Sequence, residues 1–125
     1  MAGVSSTGAE PVWLFDLDNT LHNASHAALP HVSAAMGEYM RVELGLEQDE
    51  ANELRRRYWR RYGATLLGLV RHHGVDAAHF LHQTHLLPQL EAEVHGHAHD
   101  LAALRKLPGR KILLTNAPRV YTLRV

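Results

Sequence analysis

Two carboxylates separated by one residue stand at the end of an apolar run in "VWLFDLDNTL", residues 12 to 21. They are Asp16 and Asp18, with Asn19 and Thr20 close behind. Carboxylates this close repel each other unless a cation or a shared proton relieves them. A hard divalent cation such as Mg²⁺ suits oxygen donors and keeps coordination positions open for phosphate. A carboxylate can also attack phosphorus and form an aspartyl-phosphate. A second carboxylate can protonate the leaving oxygen and later activate water. Almost a hundred residues further on, "ILLTNA" sets Thr115 and Asn116 at the end of another apolar run. A hydroxyl there, with the free backbone N–H groups of a following helix, favours an anion. These are the parts needed to move a phosphoryl group to water.

The elements that must position these residues are legible from periodicity. "VWLFD" and Lys111 to Leu114 lack alternation, so each is expected to be a strand covered on both faces, as in a parallel sheet. Between them the pattern is helical. Val32, Met36, Tyr39, Met40 and Leu44 recur near a 3.6 spacing between Pro30 and Gly45. A charged helix is expected from about Glu47 to Tyr62, with Leu54, Tyr58 and Trp59 as its apolar stripe. Leu66, Leu67, Leu69 and Val70 suggest another, closed by Gly74. The next starts at a cap, Asp76, and stops before Pro88. In "HDLAALRKLPG" Asp100 precedes Arg105 and Lys106, the charge order that suits a helix dipole. Pro118 is expected to open one more helix. Two strands joined through helices should run parallel with a right-handed crossover. Both polar tips then fall at the carboxyl edge of one sheet, where open α/β sheets bind ligands.

A chain of 125 residues suits one domain with a real core. Thirteen basic residues balance thirteen acidic ones, which gives no general pull toward nucleic acid or an anionic membrane. Without cysteine, disulfides and thiolate metal sites are excluded. Residues 1–10 are small and polar and are expected to be a disordered tail; they lack the basic and apolar regions of a signal peptide. No apolar run approaches the length of a membrane span. The expected location is the cytoplasm.

"FDLDNTL" resembles the first motif of the haloacid dehalogenase superfamily of phosphohydrolases, and "ILLTNA" its second. The helical stretch between them resembles a cap inserted into an α/β, Rossmann-type core. The variant "DLDNT", with "YGATLLGLVRHHGVD" and "LPGRKILLTNAP", is similar to the pyrimidine 5′-nucleotidase branch. The resemblance implies a core strand and nucleophile loop over 11–21, a helical cap over 22–105, and a second core strand with the next helix over 106–125. It implies Asp16 as nucleophile and Asp18 as general acid/base, with Mg²⁺ as cofactor held at Asp16 and Asp18, the latter through its backbone carbonyl. Thr115 would hold a phosphoryl oxygen with the Asn116 backbone N–H. The implied substrate is a small phosphomonoester, a pyrimidine nucleoside 5′-monophosphate in this branch. Other small phosphate esters, or a non-catalytic remnant that only binds, are the alternatives.

The superfamily's third and fourth motifs, a basic residue and one or two acidic ones, follow the second by many tens of residues. The sequence ends at Val125, and no acidic residue follows Asp100. Lys111 begins the second strand, so it is expected at the wrong end of the sheet, and Arg119 stands on the new helix. On this reading the chain matches the first half of such an enzyme, and low or absent activity is expected of it alone.

Eleven histidines are the unusual feature of the composition. His95, His97 and His99 alternate in "HGHAHD", which on a strand could bind Zn²⁺ but on a loop entering a helix leaves them exposed, the reading favoured here. His72, His73, His79, His82 and His85 are expected on cap helices, as solvated or core residues. "LRRRYWRRYG" has a composition found in nucleic-acid binders. The acidic run "EQDEANE" before it favours a solvated helix face, and no nucleic-acid partner is expected. Tyr62, Gly63 and Thr65 match the branch pattern and could touch substrate, although a tight helix junction needs Gly63 equally.

Overall fold

A computed structural model describes residues 8–125. Most of the expected disordered tail, residues 1–7, lies outside the described residues. The class is α/β, mostly helical with two parallel strands. Strand β1 (Val12–Phe15) leads into α1 (Ala24–Ala27), α2 (Leu29–Leu44), α3 (Gln48–Tyr62), α4 (Thr65–His73) and α5 (Ala77–His85). Then follow α6 (Leu90–Glu93), α7 (Ala98–Lys106), β2 (Arg110–Leu113) and α8 (Arg119–Thr122).

The helices start and stop where local chemistry directs. Helix α3 opens with a capping box: the Glu47 side chain accepts from the N3 backbone and Glu50 accepts from the Glu47 N–H at 3.0 Å. Asp76 caps α5, its carboxylate accepting the His79 N–H at 2.6 Å. Gly45, Gly63 and Gly74 end α2, α3 and α4 in the left-handed conformation. Helix α2 begins one residue before Pro30, and the four-residue α1 precedes it where the periodicity showed no helix.

Tyr39, Met40, Ala51, Leu54, Tyr58, Leu69 and Phe80 form the core among α2, α3, α4 and α5. Tyr39 meets Phe80 edge-on at 5.0 Å, and its hydroxyl bonds His79 Nδ1 at 3.0 Å. Helices α3 and α4 approach so closely that a Cβ at Gly68 would lie 2.2 Å from Tyr58 Cγ. A second cluster, Leu17, Ala28, Val32, Leu90 and Tyr121, ties the loop after β1 to α2, α6 and α8.

The sheet corrects one expectation. Val12, Leu14, Ile112 and Leu113 are exposed rather than covered on both faces. The run is apolar enough for a central strand, but burial requires layers on both sides, and the helices pack mainly on one another. Among the described residues, no helix is long and apolar enough to cross a membrane.

Candidate active site

Strand pairing brings the two polar tips together. Phe15 is opposite Leu113, and the Leu114 N–H donates to the Phe15 carbonyl at 2.8 Å. Asp16 and Thr115 therefore leave the same carboxyl edge of adjacent parallel strands. At the opposite edge the chain turns on Gly109, where φ is +84° and a Cβ would lie 2.1 Å from the Pro11 carbonyl oxygen. Only glycine fits so close a backbone approach.

Beyond Asp16 the chain folds into a tight loop. The Thr20 and Leu21 N–H groups donate to the Leu17 carbonyl at 3.1 and 2.9 Å. Asn19 is the one non-glycine residue with positive φ among the described residues, at 59°, a conformation asparagine tolerates well. Its side-chain oxygen accepts the Ser25 N–H at 2.9 Å. Thr20 Oγ1 donates to Asp16 Oδ2 at 2.9 Å, and Asp16 is exposed. Leu17, between the two carboxylates, is buried and anchors the loop in the second core cluster.

Asp18 is held by two residues that the sequence reading did not single out. The Tyr121 hydroxyl donates to Asp18 Oδ1 at 2.6 Å, and His22 Nε2 lies 2.8 Å from the same oxygen. Tyr121 is 1% exposed and His22 6%. Burial, then the hydrogen bond to Asp18, pushes the Tyr121 phenol well above its ordinary range, so it remains a donor. The hydrogen-bond pattern assigns the His22 proton to Nε2, and its buried Nδ1 has no partner among the described residues. The i, i+4 spacing of Asp18 and His22 was the available signal; Tyr121, 103 residues from Asp18, had none.

His85 presents its ring edge-on to Tyr121 at 6.0 Å. Burial pushes its imidazole pKa down, against the opposing pull of the Asp18 charge. Its Nδ1 pairs with the Thr84 hydroxyl at 2.7 Å. The Thr115 hydroxyl accepts the Ala117 N–H at 3.1 Å, which fixes the turn through Asn116. Lys111 Nζ donates to the Leu107 carbonyl at 2.8 Å, toward the amino end of β2, and Arg119 is exposed at the start of α8.

Among the described residues no three His, Asp or Glu side chains cluster as a metal site, so a cation here would rest on one or two protein oxygens completed by water or phosphate. Both bonds that the Asp18 side chain accepts fall on Oδ1, which leaves its Oδ2 open for a proton, and the exposed Asp16 carboxylate is the side-chain donor a hard cation would find. Mg²⁺ is commonly held by one or two carboxylates together with water and phosphate oxygens.

The remaining motifs fall in different places. His97 stands at the N-cap of α7, and His95 and His99 are exposed, so "HGHAHD" forms a helix entry and not a strand. The Tyr62 hydroxyl bonds His72 Nε2 at 2.6 Å, while Thr65 is buried with its hydroxyl on the Arg55 carbonyl at 3.2 Å. "LRRRYWRRYG" is largely the expected solvated face, with Arg56, Arg57, Trp59, Arg60 and Arg61 exposed. Arg57 and Arg61 lie over the rings of Tyr58 and Tyr62, but Arg55, Arg56, Trp59 and Arg60 border a cavity of about 860 Å³.

The site thus belongs to a mostly helical α/β chain with two carboxylates and a threonine at the end of a parallel strand pair. No protein-family model matches the chain. Over 68 residues it is 32% identical to phosphate metabolism protein 8 of the yeast Saccharomyces cerevisiae, a match covering 54% of this chain and 21% of the yeast protein. The match thus spans about a fifth of the length of that curated relative.

Proposed function

We propose that the chain is a phosphohydrolase fold of the haloacid dehalogenase type, acting on a small phosphomonoester through an aspartyl-phosphate on Asp16. The observation that carries this reading is the shared carboxyl edge of β1 and β2, from which Asp16 and Thr115 both emerge. The similarity to a protein named for phosphate metabolism points the same way.

In this mechanism Asp16 attacks phosphorus and the ester P–O bond breaks. Asp18 gives its proton to the departing alkoxide. Water then attacks the aspartyl-phosphate, Asp18 takes a proton from it, and inorganic phosphate leaves with Asp16 restored. Tyr121 and His22 hold Asp18 by one oxygen, which keeps the other for proton transfer. Thr20 orients Asp16 through its Oδ2. Thr115 and the Asn116 N–H hold phosphoryl oxygens. The Asp16 carboxylate and the Asp18 backbone carbonyl would hold Mg²⁺, which when bound would neutralise charge on the phosphate and the nucleophile. Helices α1–α7 form the cap that covers the leaving group. A pyrimidine nucleoside 5′-monophosphate is the substrate the resemblance favours, and the cytoplasm the expected location.

Mg²⁺-dependent phosphate release from uridine 5′-monophosphate and from phenyl phosphate, measured beside Asp16→Asn, tests this. Slow turnover that is lost in the variant is the expected result, since no basic and acidic pair like the superfamily's third and fourth motifs follows Thr115 in this sequence. Folded protein that releases no phosphate from either ester overturns it and leaves a binding-only role.

A further inference from the structure

We propose that the 860 Å³ cavity receives the organic half of the phosphate ester, and that this half is a flat ring bearing a second anionic group. The inference rests on the phosphohydrolase reading and narrows its substrate.

The cavity borders the site through the turn after β2, and Asp16, Asp18 and Thr115 themselves lie outside its lining. Asn116 and Pro118 form one side, directly after Thr115. Helices α2, α3, α4 and α5 form the rest, with Leu29, Met36, Leu66, Phe80 and Leu81 as an apolar lining. A volume of this order holds a ligand of nucleotide size.

The wall from α3 gives the pocket its chemistry. Arg55, Arg56 and Arg60 all line it, and no carboxylate does among the described residues. Glu53 outside the lining pairs with Arg56 at 2.9 Å and reaches Arg60 only at 3.9 Å. That pairing, led by the Arg56 hydrogen bond, lowers the Glu53 pKa, so the carboxylate is already committed. Among the described residues the Arg55 guanidinium bonds only neutral oxygens, the Ser33 carbonyl and hydroxyl. Three guanidiniums therefore meet one carboxylate, and the cavity keeps a positive excess. His85, held neutral by burial, adds no charge at neutral pH. Beside the arginines Trp59 leaves 64% of its surface exposed. An open indole on a cavity wall is a stacking surface for a flat ring. Guanidiniums on the same wall bind carboxylate or phosphate by paired hydrogen bonds. A plain uridine or cytidine supplies the ring and leaves the charge unanswered. A carboxylated pyrimidine, or a nucleoside with a second phosphate, answers both.

Calorimetric titration of the whole chain with orotate and with uracil reads the pocket without any turnover. Orotate is expected to bind at least about tenfold tighter, with an advantage that shrinks as salt rises. Arg55→Gln combined with Arg56→Gln should erase the advantage, Arg55→Lys with native Arg56 should retain part of it, and Trp59→Ala should weaken both ligands. Comparing kcat/KM for orotidine 5′-monophosphate, uridine 3′,5′-bisphosphate and uridine 5′-monophosphate then tells carboxylate from phosphate. Equal affinity for orotate and uracil, or a preference indifferent to the arginines, overturns the second anion. Failure of folded protein to bind either overturns the cavity assignment, even where phenyl phosphate is hydrolysed. Selective binding without hydrolysis of any ester leaves the pocket standing and removes the phosphohydrolase.

Discussion

The helical cluster and the strand pair hold similar kinds of residue in opposite states. Phe80, Met40 and Leu69 are fully buried among α2 to α5, whereas Leu14 on β1 is 64% exposed and Leu114 just past β2 is 65% exposed. The helices bury apolar surface on one another. The strand pair has hydrogen bonds along one edge only, and a lone pair of strands is marginal in water. Its loops are tied to the helices instead by Leu17 and Tyr121 in the second cluster. The edge that carries Asp16 and Thr115 is thus positioned by the helical body as well as by its own strand pairing.

The sharpest way to break this contrast is in the core. Phe80→Ala removes a fully buried ring and should cost about 3–5 kcal/mol, read as a loss of urea midpoint at unchanged slope. A cost near zero would mean that the helical cluster does not carry the fold. Next in size is the tie between the regions. Tyr121→Phe leaves the ring packed but takes a charge-assisted hydrogen bond from Asp18, a loss of about 1.5–3 kcal/mol. It should appear as a tenfold or larger fall in kcat with little change in KM. An unchanged kcat would show that Asp18 does not need Tyr121.

A smaller effect is expected from His85. Its folded pKa lies below its unfolded value, so its contribution is fully present above about pH 6.5, the ordinary histidine value. It is lost as pH falls through the lower folded value, because the unfolded chain takes up the proton first. Thermal melts of His85→Asn should therefore fall less steeply with acid than those of the parent chain, and parallel curves would refute the buried, neutral imidazole. The smallest change should follow Leu14→Ala, within about 0.5 kcal/mol, since that side chain is already in water. A core-sized loss there would show that β1 is covered in solution and would erase the contrast.

The helices were legible because each carries its own signals. Glu47 with Glu50, Asp76, and the closing glycines act within a few residues, so local sequence locates them. The parallel pairing was legible too, from two unalternating runs separated by helices. Strand burial was not, because an apolar run records what a strand can tolerate and not what packs on it. The short helix α1 escaped periodicity because four residues make only one turn.

At the site the division is the same. The sequence alone determined which groups could do chemistry, Asp16, Asp18, Thr115 and Asn116, since their types and strand-end positions need no partner to be recognised. Only the tertiary structure decided what restrains Asp18. His22 could be reached through an i, i+4 spacing, but Tyr121 arrives from 103 residues away. It likewise decided that Arg55, Arg56, Trp59 and Arg60 border a cavity and are not all spent on solvent. The physical reason is range: caps, turns and strand ends are governed by neighbours along the chain, whereas burial and the donors around a charge depend on which distant segments pack beside it.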